Sequence, residues 1–120
     1  MSKLDVVALA DLSDEERSEK MGAMFQQLGS LPEEEQLAAL RSMIQEMAEK
    51  ATDVQYLRLC ATNLTLAASL PNDQLKPFLA NRMKASSSLP IQLAERDMKH
   101  VQEAISKAQP SIREKINSNM

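Results

Sequence analysis

The sequence predicts an all-α fold: five to six short antiparallel helices from a repeat of about 19 residues, packed as a compact helical bundle or a short α-solenoid. Three observations predict it. A start phrase recurs as Leu12-Ser13-Asp14-Glu15-Glu16, Leu31-Pro32-Glu33-Glu34-Glu35, Leu70-Pro71-Asn72-Asp73-Gln74 and Leu89-Pro90-Ile91-Gln92, at spacings of 19, 39 and 19 residues. Behind each start the apolar residues follow a 3.6-residue period, and no segment alternates as a strand does. Glycine occurs only at Gly22 and Gly29, too rarely for the phosphate-cradling loops of nucleotide-binding α/β folds.

The elements follow in order. The apolar stretch inside the first 11 residues predicts a short leading helix near 4–11. Ser13 and Glu16 form a capping-box pattern ahead of a helix near 14–28, whose face carries Met21, Met24 and Leu28. Pro32 at the first helical position, with Glu33, Glu34 and Glu35 at the positive end of the helix dipole, starts a helix near 32–50 with Leu37, Leu40, Ile44 and Met47 on one face. The double gap calls for a diverged copy near residue 51, and Thr52-Asp53-Val54-Gln55 supplies a capping box there. It opens a helix near 53–68 with Val54, Leu57, Ala61, Leu64 and Ala68 as its apolar stripe.

Pro71 starts a helix near 72–85, in which Pro77 cannot donate to the carbonyl of Asp73. We read Pro77 as a tolerated early-helix proline with irregular first turns. Pro90 starts a helix near 90–108 with Ala94, Met98, Val101, Ile105 and Ala108 inward, and Pro110-Ser111-Ile112-Arg113-Glu114 starts one near 111–118, with Ser111 and Glu114 as a capping box. Gly29-Ser30 and Ser86-Ser87-Ser88 are the polar connectors, which makes consecutive helices antiparallel neighbours across tight turns. Nine positions beyond the starts stand Met21, Leu40, Cys60, Leu79 and Met98, and thirteen beyond stand Phe25, Ile44, Leu64, Met83 and Gln102, so each unit offers the core the same face.

The Leu31-Pro32-Glu33-Glu34-Glu35 phrasing is similar to the one-helix repeats of the flagellar motor switch proteins and of the cytosolic domain of a magnesium channel family. No functional residue is carried across from that similarity.

At 120 residues, with 43% apolar and 26% charged residues, the chain reads as a single all-helical domain over 1–120. One cysteine excludes a disulfide framework and a Cys-rich zinc site. A net charge of −3, a mean hydropathy of −0.34 and no run of eighteen apolar residues speak against membrane insertion, and the N-terminal stretch is too short and acidic for a signal peptide. The expected setting is the cytoplasm. Three aromatics, Phe25, Tyr56 and Phe78, without tryptophan, leave no stacking platforms, so nucleic acid is an unlikely partner on composition.

Charge is lopsided. Residues 1–60 hold 12 Asp/Glu and 6 Lys/Arg, whereas residues 61–120 hold 5 and 8. Opposite halves attract, which predicts a weak homodimer or an acidic partner for the basic half.

Candidate chemistry is sparse. A nucleophilic cysteine needs a base, and the chain has one pair to offer, Cys60 and His100. Cys60 falls on the shared apolar position and reads as an inert core thiol; His100, in the charged stretch Glu95-Arg96-Asp97-Met98-Lys99-His100, reads as a surface histidine. The carboxylate runs sit in first turns, and no Glu-x-x-His occurs, so no metal and no cofactor are expected. Six internal methionines read as core packing or, alternatively, as an adaptable groove for a partner helix. The expectation is therefore a noncatalytic helical protein–protein interaction module: an adaptor, assembly factor or regulatory subunit. Its candidate partner-binding residues are Met43, Met47, Met83, Arg82, Lys84, Arg96, Lys99 and His100. The alternative is a small helical enzyme or apolar-ligand binder with a pocket near Cys60, Asn63 and Arg96.

Overall fold

The computed structural model describes residues 5–120, and its elements are all helices: α1 Val6–Leu9, α2 Asp14–Gly29, α3 Glu33–Lys50, α4 Asp53–Ala68, α5 Asn72–Ser87, α6 Ile91–Lys107 and α7 Pro110–Ser118. Among the described residues there are seven, as many as the segments read in order along the sequence, where the repeat count alone predicts five to six. The leading helix expected near 4–11 is that single turn, and position 4 lies outside the described residues.

Local chemistry explains the starts. The hydroxyl of Thr52 accepts the Gln55 amide N–H at 3.2 Å while the Gln55 side chain accepts the Thr52 N–H at 2.9 Å, so the diverged third start is a complete capping box. Asp5 and Ser13 cap α1 and α2 through their side-chain oxygens. Pro32, Pro71 and Pro90 are N-caps with ψ of 153°, 152° and 144°, so the helices behind Pro32 and Pro90 begin one residue later than expected; an N-cap amide needs no intrahelical partner, so proline loses nothing there. Only Pro110 is a first helical residue, and by starting α7 it leaves Ser111 inside the helix with no capping role, contrary to the expected box. Helix α5 runs unbroken through Pro77, which is exposed.

The helix ends are closed in a less usual way. No residue among those described has a positive φ, so the glycine caps that commonly satisfy the last carbonyls are not used. Local serine hydroxyls at Ser30, Ser69 and Ser88 do part of that work, and side chains from other helices do the rest. Arg17 of α2 donates to the carbonyls of Ala10 and Leu12 behind α1, at 3.2 and 2.9 Å. Gln36 of α3 reaches Leu28 O of α2 at 2.9 Å, Arg113 of α7 reaches Ser106 O of α6 at 3.2 Å, and Lys115 of α7 reaches Leu70 O behind α4 at 2.6 Å. Each such bond locks one helix end to another helix and gives the basic side chains an internal role.

The most extensive helix contacts join elements two apart in the chain, α3 with α5 and α4 with α6, and α2 and α7 both pack on α4. Extents of 33 × 31 × 30 Å make this a compact helical bundle. Its core includes Met21, Leu40, Cys60 and Leu79 of the predicted shared position. Met98, the fifth member, is 43% exposed. Helix α6 is turned by one residue, about 100°, from the expected face, so that Asp97, His100 and Ala104 point inward. The supposed Ser86-Ser87-Ser88 connector also differs, since Ser86 and Ser87 belong to α5 and Ser86 is buried.

Candidate functional site

Three places could carry function: a buried polar cluster, an internal methionine-lined pocket and an apolar surface groove.

The polar cluster is built where α4, α5 and α6 meet. Asp97 is 1% exposed, and its carboxylate receives Arg82 Nη1 at 2.7 Å, Arg82 Nη2 at 2.8 Å, the Ser86 hydroxyl at 2.6 Å and the Tyr56 hydroxyl at 2.6 Å. Burial alone pushes the Asp97 carboxyl upward, but the Arg82 hydrogen bonds and charge, with the two hydroxyls, outweigh it and hold Asp97 below the usual carboxylate range. Burial and the adjacent Asp97 charge push the Tyr56 phenol up, so it stays a neutral donor. Burial also acts against the charge on Arg82, yet Asp97 more than compensates and raises it. With four donors on two oxygens, this carboxylate is saturated and has no lone pair aimed at a reactant.

Beside it lies a second knot. Arg96 donates to Ala48 O at 2.7 Å and Ala51 O at 2.5 Å at the end of α3, and to Asp53 Oδ1 at 3.2 Å at the start of α4; its guanidinium also lies 5.2 Å from the Tyr56 ring centre. His100 stacks on that same ring with centroids 4.4 Å apart. Its Nε2 is 3.0 Å from Asp53 Oδ1 and its Nδ1 is 2.8 Å from Arg96 O. Both oxygens are acceptors, so a ring protonated on both nitrogens donates to both and a neutral ring to one. The hydrogen bonds from Arg96 and then His100 hold the Asp53 carboxyl below its usual range. His100 is therefore not the surface histidine its sequence neighbours suggest; it is 5% exposed, because Asp53 and Tyr56, more than forty residues earlier, supply the partner and the ring it needs indoors.

The internal pocket, about 60 Å³, is lined by Met21, Met24, Met43 and Met47 with Phe25, Phe78, Cys60, Asn63 and Arg82. Phe25 and Phe78 pack at 4.7 Å between centroids. Burial pushes the Cys60 thiol up to about 12, with Arg82 opposing and Asp97 reinforcing the shift. The pocket expected near Cys60, Asn63 and Arg96 thus contains the first two, but its arginine is Arg82.

The candidate partner-binding residues are dispersed. Met43, Met47 and Arg82 line the internal pocket; Arg96 and His100 belong to the knot at Asp53; Met83, Lys84 and Lys99 are exposed on α5 and α6. The structure does not gather them into one surface.

It gathers a different one. Helix α4 has two apolar faces. Tyr56, Leu59, Cys60, Leu64 and Ala67 are its buried residues, whereas Val54, Leu57 and Ala61 of the predicted inward stripe face a groove of about 490 Å³ closed on its far side by Ala104, Ala108 and Ile112 of α6 and α7. Val54 is 58% exposed. The stripe was legible as apolar in the sequence; its outward direction was not, because α4 is central and a period of 3.6 does not say which of two apolar faces meets the core. Arg58 and Lys107 are the charged residues of the lining.

Among the described residues no group of three or more His, Cys, Asp or Glu is placed to hold a metal ion, and no helix is long and apolar enough to cross a membrane. Comparison with protein-family models, with curated proteins and with solved structures finds no match to this chain.

Proposed function

We propose that this protein is a noncatalytic helical interaction module that takes a protein partner in the groove between α4 and the α6–α7 corner. The observation that carries the reading is the second apolar face of α4: Val54, Leu57 and Ala61 recur at helical spacing along a concave surface of about 490 Å³ that the described residues leave uncovered. Two further features support it. The polar groups that would be catalytic candidates are spent on one another, since Asp97 is saturated and both ring nitrogens of His100 are engaged away from Cys60. The groove is also the larger of the two apolar recesses, about 490 Å³ against about 60 Å³ for the methionine-lined pocket.

The apolar-ligand reading would place its ligand in the methionine-lined pocket, whose volume of about 60 Å³ is well below the range of about 300–1,000 Å³ typical of small-molecule sites. The groove is the better-supported site.

Photo-crosslinking tests the proposal. A benzophenone side chain at Val54 or Ala61, in cells that make the protein, should yield polypeptide adducts that the same group at Gln26, exposed on α2, does not yield. Identical adducts from all three positions, or none from the groove, would sink it.

A further inference from the structure

We infer that the groove's occupant is an amphipathic helix of a partner protein whose flanks carry carboxylates; the inference rests on reading the groove as a docking surface. Charge is the first argument. The chain is net −3, with 12 acidic residues in its first half, yet both charged residues lining the groove, Arg58 and Lys107, are basic, and no Asp or Glu lines it. The groove therefore reverses the sign of the molecule that carries it, which favours an acidic ligand there and repels a basic one. Neither base is tightly committed. Among the described residues Arg58 reaches only Ala10 O, at 3.5 Å, and Lys107 stands 3.8 Å from Glu103 with its side chain in water.

Backbone chemistry selects a helix over an extended segment. The walls are helices whose peptide groups bond within themselves, so they offer no strand edge on which an extended peptide could satisfy its own N–H and C=O groups. A helix brings those bonds with it. The stripe from Val54 through Leu57 to Ala61 covers eight residues, about 10 Å of axis, which matches anchors at i, i+3 or i+4, and i+7 on an incoming helix. Shape then separates a helix from an anionic bilayer, which the same charges would attract. Ala61, Ala104 and Ala108 make a recess that admits side chains, whereas a membrane-binding face needs large apolar groups that protrude. A second copy docking groove to groove would bring Arg58 and Lys107 against their own equivalents, which disfavours a symmetric dimer here.

The test uses two synthetic amphipathic peptides of about 14 residues, some four turns, with one shared leucine stripe, flanked by glutamate in one and by lysine in the other. Binding is read by fluorescence anisotropy. The glutamate peptide should bind the wild-type protein at least tenfold more tightly than the lysine peptide, weaken at least tenfold on Val54→Asp, and weaken as salt rises, since exposed charges are screened beyond about 8 Å at physiological ionic strength. Arg58→Glu/Lys107→Glu should reverse the preference between the peptides. All three substituted residues are exposed or at the rim, and circular dichroism checks that each variant keeps its helices.

Equal affinities, or a preference that survives the charge reversal, would overturn the inference. So would binding to phosphatidylserine vesicles that Val54→Asp abolishes, which assigns the face to a membrane, or salt-sensitive dimerisation in sedimentation lost in the same variant, which assigns it to a second copy. Failure of both peptides would overturn it too, while specific crosslinks through positions 54 and 61 would still stand for a protein partner of other chemistry.

Discussion

The carboxylate of Asp97 on α6 meets the guanidinium of Arg82 on α5 through two bonds of 2.7 and 2.8 Å, and neither group has another charged partner among the described residues. The pair joins helices whose contacting residues lie fifteen positions apart, and the Tyr56 hydroxyl ties it to α4.

Removing one member should therefore be worse than removing both. Asp97→Asn leaves the Arg82 charge buried without its counter-ion and should destabilise the protein by about 3–5 kcal/mol. Arg82→Met/Asp97→Leu replaces charge by apolar volume and should lose less than the single change, because the desolvation of two ions is relieved together. Urea denaturation of the three proteins measures this. A double variant as unstable as Asp97→Asn would show that the pair matters through the Ser86 and Tyr56 bonds and not through Arg82.

Acid should uncover the same pair. Because the native Asp97 carboxyl lies below its ordinary range, its contribution is fully present above the unfolded value of about 3.9 and is lost as pH falls through the native value. Asp53 titrates in the same direction but is retained in the paired variant, so it cancels in the comparison. The stability difference between wild type and Arg82→Met/Asp97→Leu should shift against the wild type below about pH 4. A difference that stays constant as the pH is taken well below 4 would contradict the assignment.

The apolar positions shared by the repeat make a graded prediction. Leu40→Ala and Leu79→Ala empty buried sites and should each destabilise by about 2–5 kcal/mol, whereas Met98→Ala, at an exposed site, should stay within about 0.5 kcal/mol of wild type. Denaturation midpoints decide it. Comparable losses at all three would mean that α6 presents Met98 to the core after all.

Cys60 should react slowly with a maleimide at neutral pH and rapidly once denaturant is added. Its thiol is buried and pushed up to about 12, so the thiolate that attacks the reagent is scarce in the native protein. Native labelling as fast as in denaturant would overturn the buried assignment.

Much of the helical layout is legible in the sequence, because helix starts are local chemistry. The Thr52–Gln55 box, the acidic first turn of α3 and the proline starts act within four residues of one another, and the six longer helices end within two residues of their expected bounds. Met21, Leu40, Cys60 and Leu79 were legible as core for the same reason, since an apolar side chain needs no particular partner to be buried.

Direction around the axis, by contrast, was decided only by the tertiary structure. Asp97 and His100 occupy the inner face of α6 at i and i+3, seven and four residues before Ala104, but a periodicity built on hydrophobicity passes over an acid and an imidazole and selects Met98 instead. Burying a carboxylate is prohibitive until a counter-charge and hydroxyls stand around it, and those come from Arg82, Ser86 and Tyr56, eleven to forty-one residues away. The outward stripe of Val54, Leu57 and Ala61 obeys the same logic in reverse: it is apolar by sequence and exposed because the opposite face of α4 already fills the core. Local signals determine where helices begin, and the meeting of distant side chains determines which way they face.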